Sequence, residues 1–190
     1  MKTLWWVRHG PTNLKSIVGW SDVPADLSDQ AAIARLDAFL PPAPVVSSDL
    51  IRAVHTADAI QRDRPRLPHD PDLRELNFGA WELRAPEDIY AENPDLAMAY
   101  WNDPETGQPP GGESWHDLAT RVNGAVDRLL IQPADELIVV AHFGAILSQL
   151  RRALGVSVKE VMAHRIENLS VTEIRLAGDR WQPGQINHLP

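Results

Sequence analysis

The sequence predicts an α/β fold built on a mainly parallel sheet, and three features carry that reading. Two apolar runs, Leu4-Trp5-Trp6-Val7 and Leu137-Ile138-Val139-Val140-Ala141, lack polar alternation and suit strands buried on both faces. A shorter run, Val45-Val46, sits between proline-rich and serine-rich punctuation. Segments with helical periodicity separate the three, and a strand–helix–strand order is the pattern of a parallel sheet. A chain of 190 residues, 44% hydrophobic and 23% charged, is read as one domain over residues 1–190 with a substantial core.

The first strand stops abruptly at Arg8-His9-Gly10-Pro11-Thr12, where Gly10 lets the backbone approach a ligand and Pro11 ends the strand. Residues 12–24 form a loop rich in Gly, Pro, Ser and Asp. Asp26 to Asp29 offers N-caps for a helix over Gln30 to Phe39, which Pro41, Pro42 and Pro44 stop. Val45-Val46 is the second strand and ends in Ser47-Ser48-Asp49, another N-cap cluster. The next helix places Leu50, Ala53, Ala57 and Ile60 on one face. Arg62, Arg64 and Arg66 read as its solvated end.

Leu67 to Leu76 contains two prolines and is expected to hold one short strand, followed by a turn-like aromatic segment over Glu75 to Glu82. Ala85 to Asp103 holds helical sequence broken at Pro94, and Gly107 to Gly112 is a surface loop. Ser114 and Asp117 make a capping box for the clearest helix, whose apolar face runs through Trp115, Leu118, Val122, Val126 and Leu129. The third strand, Glu136 to Ala141, ends in His142-Phe143-Gly144. Helices are expected from Ala145 to Leu154 and around Val158 to His164. Ser170 to Leu176 and Trp181 to His188 form a hairpin about Ala177-Gly178-Asp179.

A formal charge of −8 argues against a non-specific nucleic-acid or acidic-membrane binder. With no cysteine, disulfides, thiolate metal sites and cysteine nucleophiles are excluded. The apolar stretch after Lys2 is too short for a signal peptide, and no run is long enough to cross a bilayer. The expectation is a cytoplasmic protein. Of the seven Trp, Trp20, Trp81 and Trp115 lie near turn or polar signals and are candidates to wall a pocket. The sequence leaves the oligomeric state open and is compatible with a dimer.

Ligands of open α/β sheets bind beyond the carboxyl ends of the strands. The first strand delivers Arg8 and His9 there, and the third delivers His142 and Gly144. The second leads into a helix whose first turn carries Arg52 beside amides with no intrahelical partner. Two arginines, two imidazoles and a helix N-terminus on one sheet edge describe a phosphate site.

Four blocks carry a resemblance on top of this: Arg8-His9-Gly10-Pro11-Thr12, Ser48-Asp49-Leu50-Ile51-Arg52-Ala53, Leu73 to Glu82, and Val140-Ala141-His142-Phe143-Gly144. In that order, over residues 3 to about 145, they resemble the histidine phosphatase superfamily, the phosphoglycerate-mutase-like proteins. The resemblance implies a three-layer α/β sandwich, its mainly parallel central sheet carrying one antiparallel edge strand. It implies His9 as a nucleophile that becomes phosphorylated, Arg8, Arg52 and His142 as holders of the phosphoryl group, and Glu75 as proton donor to the leaving group. Gly10, Thr12, Asn13, Phe143 and Gly144 are expected to contact the substrate. Two positions depart from the family pattern: Phe143 replaces the first of two glycines, and Leu83 stands where a glycine often follows the Trp-Glu pair.

The chemistry asks for the same residue types independently. A phosphate dianion calls for a neutral imidazole nucleophile, permanently charged guanidinium donors, and a carboxylic acid to protonate the departing alkoxide. Enough cationic donors make a metal optional, so no metal or cofactor is expected. The expected partner is a small phosphorylated metabolite, with α-ribazole 5′-phosphate suggested by the Trp-Trp opening and the Gly19 to Ser28 loop. The rivals are a phosphomutase, for which the segment between Arg52 and His142 is short, and a metal-dependent hydrolase using His9, His142, Glu75 and His55, for which the sequence lacks a ligand motif. A non-catalytic phospholigand-binding module is the third. His55, His69, His116, His164 and His188 read as surface or structural, with His116 within possible reach of the pocket mouth.

Overall fold

The computed structural model describes Met1–Pro190 and contains one five-stranded sheet. Strands β1 (Lys2–Arg8), β2 (Val45–Ser47), β3 (Glu136–Ala141), β4 (Val171–Ala177) and β5 (Arg180–Pro183) lie in the order β2-β3-β1-β4-β5. β1 and β2 both pair parallel with β3, whereas β4 pairs antiparallel with β1 and β5 antiparallel with β4. The expected hairpin closes this side of the sheet, and β4 alone runs against the other four strands.

The helices are α1 (Gln30–Phe39), α2 (Ile51–Gln61), α3 (Pro86–Glu92), α4 (Pro94–Asn102), α5 (Trp115–Leu130), α6 (Phe143–Leu154) and α7 (Val158–Val161). Successive strand residues face opposite ways, which explains the unbroken apolar runs. Leu4, Trp6, Val139 and Ala141 pack with α5 and α6, while Val7, Val45, Ile138 and Val140 pack with α1 and α2. Two helical layers thus enclose the sheet. No helix is long and apolar enough to cross a membrane.

Four sequence expectations change. Residues 67–76 form no strand: Arg66 makes a single bridge to Val45, and Pro71–Leu73 is a 3-10 turn. α6 starts two residues early, at Phe143, because His142 takes the N-cap position, and α7 stops at Val161. The Ser47-Ser48-Asp49 cluster does not cap α2 from its N-cap position, which Leu50 occupies. The Asp22 carboxylate instead accepts from the Ile51 amide at 2.6 Å, from a loop distant in sequence. Arg64 is not solvated, since its guanidinium donates to Asp37 and to the Leu40, Pro41 and Ile60 carbonyls, fastening α1 to α2.

Candidate active site

The carboxyl ends of β1 and β3 and the start of α2 meet at one sheet edge, bringing Arg8, His9, Arg52 and His142 together. His9 is buried, and its Nδ1 lies 2.7 Å from the Gly10 carbonyl. An Nδ1–H donated to that carbonyl leaves Nε2 as an acceptor, and Arg52 Nε donates to it at 3.3 Å. Burial, then the Arg52 charge, push the His9 pKa down to about 3, against the opposing pull of the Gly10 carbonyl. The ring is therefore neutral at physiological pH. His142 is fully buried, with its ring centroid 5.0 Å from that of His9. Neither of its ring nitrogens has a protein partner, and burial holds its pKa well below the ordinary value.

Arg52 is 1% exposed, and the loop over Gly19 to Ser21 aims it. Its Nη1 donates to the Ser21 carbonyl at 2.9 Å and its Nη2 to the Gly19 carbonyl at 2.5 Å. The Glu82 carboxylate holds that loop in turn, accepting from the amides of Gly19, Trp20, Ser21 and Phe78 and from the Ser21 hydroxyl. Burial alone would raise the Glu82 pKa, but these donors outweigh it and hold the group below its usual range. Arg8 donates to the Ile166 carbonyl at 2.5 Å and lies 5.5 Å from the Phe143 ring centroid. Burial lowers both guanidinium pKa values while Glu75 opposes it, and both groups remain cations at any working pH.

Glu75 reaches the same edge from the segment before the Gly79–Trp81 3-10 turn. Its Oε1 accepts from the Leu76 and Gly144 amides, both at 2.9 Å. The second donor is an unpaired amide of the first turn of α6. A Cβ at position 144 would run into the Glu75 carboxylate, so the close approach requires the glycine that the sequence retains beside Phe143. Burial raises the Glu75 pKa, and it prevails over the two amides and the charges of Arg52 and Arg8. Its backbone carbonyl is clamped by Trp20 Nε1 and Arg121 Nη2, each at 2.7 Å. The guanidinium groups of Arg74 and Arg121 lie 4.9 and 5.6 Å from the Trp20 ring centroid.

Phe143 and Gly144 line a cavity of about 130 Å³ that opens beside Glu75, whereas Gly10, Thr12 and Asn13 do not. The close approach permitted by Gly10 is to Leu27 and Asp26, and its amide donates to Thr56 Oγ1. Thr12 is half-buried, and Asn13 is exposed and turned to Asp26 at 2.8 Å. Trp115 lines the cavity; Trp81 packs behind it against Tyr100. His116 is exposed and Leu83 half-exposed, and neither lines it. Leu83 stands at φ 59°, left-handed backbone that favours glycine, which accounts physically for the family's preference there. Sequence reasoning did not single out Arg121, Asp22 or the cavity walls Tyr100 and Trp101. Arg121 left one signal: it falls three residues after Leu118 on the otherwise apolar face of α5.

Two buried neutral histidines set a stability expectation. Each has a folded pKa below the unfolded value of about 6.5, so stability is full above that pH and is lost as pH falls toward the folded value. Each contributes a slope of about 1.4 kcal/mol per pH unit within the window. Glu75 acts in the opposite sense, because the folded state favours its protonated form. Urea midpoints between pH 6 and pH 4 should therefore fall less steeply in H9Q/H142Q than in the wild type. Equal slopes would show that the histidines are not held neutral.

Three comparisons bear on this geometry. The model of the histidine phosphatase superfamily (branch 1) matches residues 4–188. The adenosylcobalamin/alpha-ribazole phosphatase of Escherichia coli (strain K12) is 30% identical over 86% of this chain and 85% of its own length. The glucosyl-3-phosphoglycerate phosphatase of Mycolicibacterium vanbaalenii is 32% identical over 80% of this chain and 74% of its own. Among solved structures, a putative alpha-ribazole-5′-P phosphatase from Escherichia coli superposes with a TM-score of 0.87 at 26% identity, covering 98% of this chain and 96% of that one.

Proposed function

The chain belongs to the histidine phosphatase superfamily, branch 1, and from that premise we propose that it hydrolyses a small phosphate monoester through a phosphohistidine at His9, without a metal. The observation that carries the reading is the His9 ring: Nδ1 faces the Gly10 carbonyl and Nε2 faces inward toward Arg52. A neutral imidazole with its tautomer fixed is the form in which the nitrogen lone pair can attack phosphorus. The Arg52 contact to Nε2 is long, at 3.3 Å, and a phosphoryl oxygen would take over that donor as the nucleophile engages.

In the first step His9 Nε2 forms a bond to phosphorus, the ester P–O bond breaks, and the Glu75 carboxyl gives its proton to the departing alkoxide. In the second, water attacks the phosphohistidine while the Glu75 carboxylate takes its proton, releasing inorganic phosphate and free imidazole. Arg8 and Arg52 stabilise charge on the equatorial oxygens, and His142 contacts the same group. Phosphoryl transfer is mostly positioning and charge stabilisation, and these cations supply charge that a metal could otherwise bring. Nowhere do three or more His, Asp or Glu side chains converge as a metal-holding set, which favours this reading over a metallohydrolase. Residues 1–190 act as one domain, a reading supported by the sheet that joins both halves of the chain.

Among monoesters, α-ribazole 5′-phosphate is the first to assay, supported by the relatives named for it. Exhaustive chelation should leave turnover intact. With 3-phosphoglycerate and a bisphosphoglycerate primer, free phosphate should outrun isomer, because the segment between Arg52 and His142 is short. An apo-protein rescued only by divalent metal, or isomer as the main product, would overturn the proposal.

A further inference from the structure

The cavity beside Glu75 is built unlike the phosphoryl end of the site. Five aromatic side chains wall it: Phe78, Tyr100, Trp101, Trp115 and Phe143. Met162 adds a polarisable thioether, and no Lys, Arg or His lines it. The rings meet edge-on, with Tyr100 and Trp101 centroids 4.7 Å apart and Phe78 and Tyr100 centroids 6.4 Å apart. Phe143 and Met162 also line a second, polar cleft that contains Arg8, His164 and Arg165, and so stand between the two spaces.

We propose that this cavity receives an uncharged aromatic ring on the alcohol side of the ester, so that the protein selects phosphates of aryl-bearing alcohols over those of sugars and hydroxy acids. The inference rests on the phosphatase reading and extends it to substrate class. The cavity adjoins the carboxyl assigned to the leaving group, on the side of Gly144, so it takes the alcohol and not the phosphate. Its volume of about 130 Å³ is close to the roughly 150 Å³ of an apolar cavity known to take up benzene in another protein. Beyond the Glu75 carboxyl, the Tyr100 hydroxyl and the indole N–H groups, the walls offer sugar hydroxyls no partner to replace water, and a carboxylate would lose far more with no cation to meet it. An aromatic ring gains by burial and by edge-to-face packing against the walls.

Benzyl phosphate and methyl phosphate have alcohols of similar acidity, so their comparison isolates the ring from leaving-group chemistry. The benzyl ester should exceed the methyl ester in kcat/KM by about 10²-fold, at the scale set by filling an apolar pocket. 3-Phosphoglycerate should be the poorest of the three. Trp101 is half-exposed on the rim, so W101A should fold and should lower the benzyl-to-methyl ratio by about tenfold. M162K, which sets a cation in the same wall, should raise 3-phosphoglycerate relative to benzyl phosphate. A benzyl-to-methyl ratio near one in a protein that still forms phosphohistidine would overturn this inference alone. So would a benzyl-to-methyl ratio unmoved in W101A together with no gain of 3-phosphoglycerate on benzyl phosphate in M162K. Failure to cleave any of these esters or p-nitrophenyl phosphate would overturn the phosphatase reading itself.

Discussion

Replacing His9 with Ala should abolish acid-labile, base-stable phosphorylation and lower kcat/KM by about 10⁴-fold or more, the scale at which loss of a covalent nucleophile shows. His142 is the competing acceptor, with its ring centroid only 5.0 Å away. The two are distinguished by their hydrogen bonds. His9 has one nitrogen committed to the Gly10 carbonyl and the other directed at Arg52, whereas neither nitrogen of His142 has a partner to fix a tautomer. A labelled wild-type protein quenched within the first turnover should carry phosphate on the peptide containing His9. On the proposed assignment H142A should still label, more slowly, because it loses a contact to the phosphoryl group but keeps the nucleophile. Label that persists in H9A and vanishes in H142A would exchange the two roles. Folding of H9A is checked by its urea midpoint at pH 7, where the neutral histidine contributes no linkage term.

The sheet was readable because burial on both faces leaves a direct mark: Leu4 to Val7 and Leu137 to Ala141 have no polar face to present. Helix α1 matched its expected bounds, since Asp29 and the Pro41-Pro42 pair punctuate it locally. The errors fell where long-range partners decide. Asp22 caps α2 across 29 residues of sequence, and no local rule selects it over Ser48 or Asp49. Arg64 looks solvated in sequence because most of its acceptors are backbone carbonyls in and just after α1, distant in the chain. Likewise, strand ends and family blocks indicated Arg8, His9, Arg52, Glu75 and His142. The supports that aim them did not carry such a signature. Glu82 only closes the turn-like segment in sequence, and the five donors folded onto it come largely from a distant loop, while Arg121 acts through the Glu75 backbone carbonyl, which sequence does not display. The cavity walls Tyr100 and Trp101 come from α4, which reads only as helical sequence after Pro94, and they become a pocket when Phe143 and Trp115 close the other side.

Glu75→Gln should separate esters by the basicity of their alcohols. The glutamine carbonyl can still accept from the Leu76 and Gly144 amides, so the fold around position 75 is kept while the transferable proton is lost. An alkyl alkoxide needs that proton in the transition state, and its phosphorylation rate should fall by about 10²–10⁴-fold. A p-nitrophenolate leaves nearly unaided, and its single-turnover rate should fall much less. Steady-state rates can conceal the difference, because on the proposed mechanism the same carboxylate activates water in the second step, so the burst phase is the quantity to compare. The raised pKa of Glu75 fixes the sign of the pH dependence. The alkyl ester should lose phosphorylation rate as pH rises through that value and the acid ionises. In E75Q this limb should be absent. On the acid side, His9 stays neutral down to about pH 3 and imposes no loss near neutrality. Glu82→Gln is the contrasting variant, because Glu82 acts on Arg52 through the loop it holds. It should slow both esters alike, since weaker charge stabilisation affects phosphoryl transfer whatever the alcohol. An equal loss for both esters in E75Q, measured in the burst, would remove Glu75 from the acid role and leave it as a structural carboxylate of the α6 N-terminus.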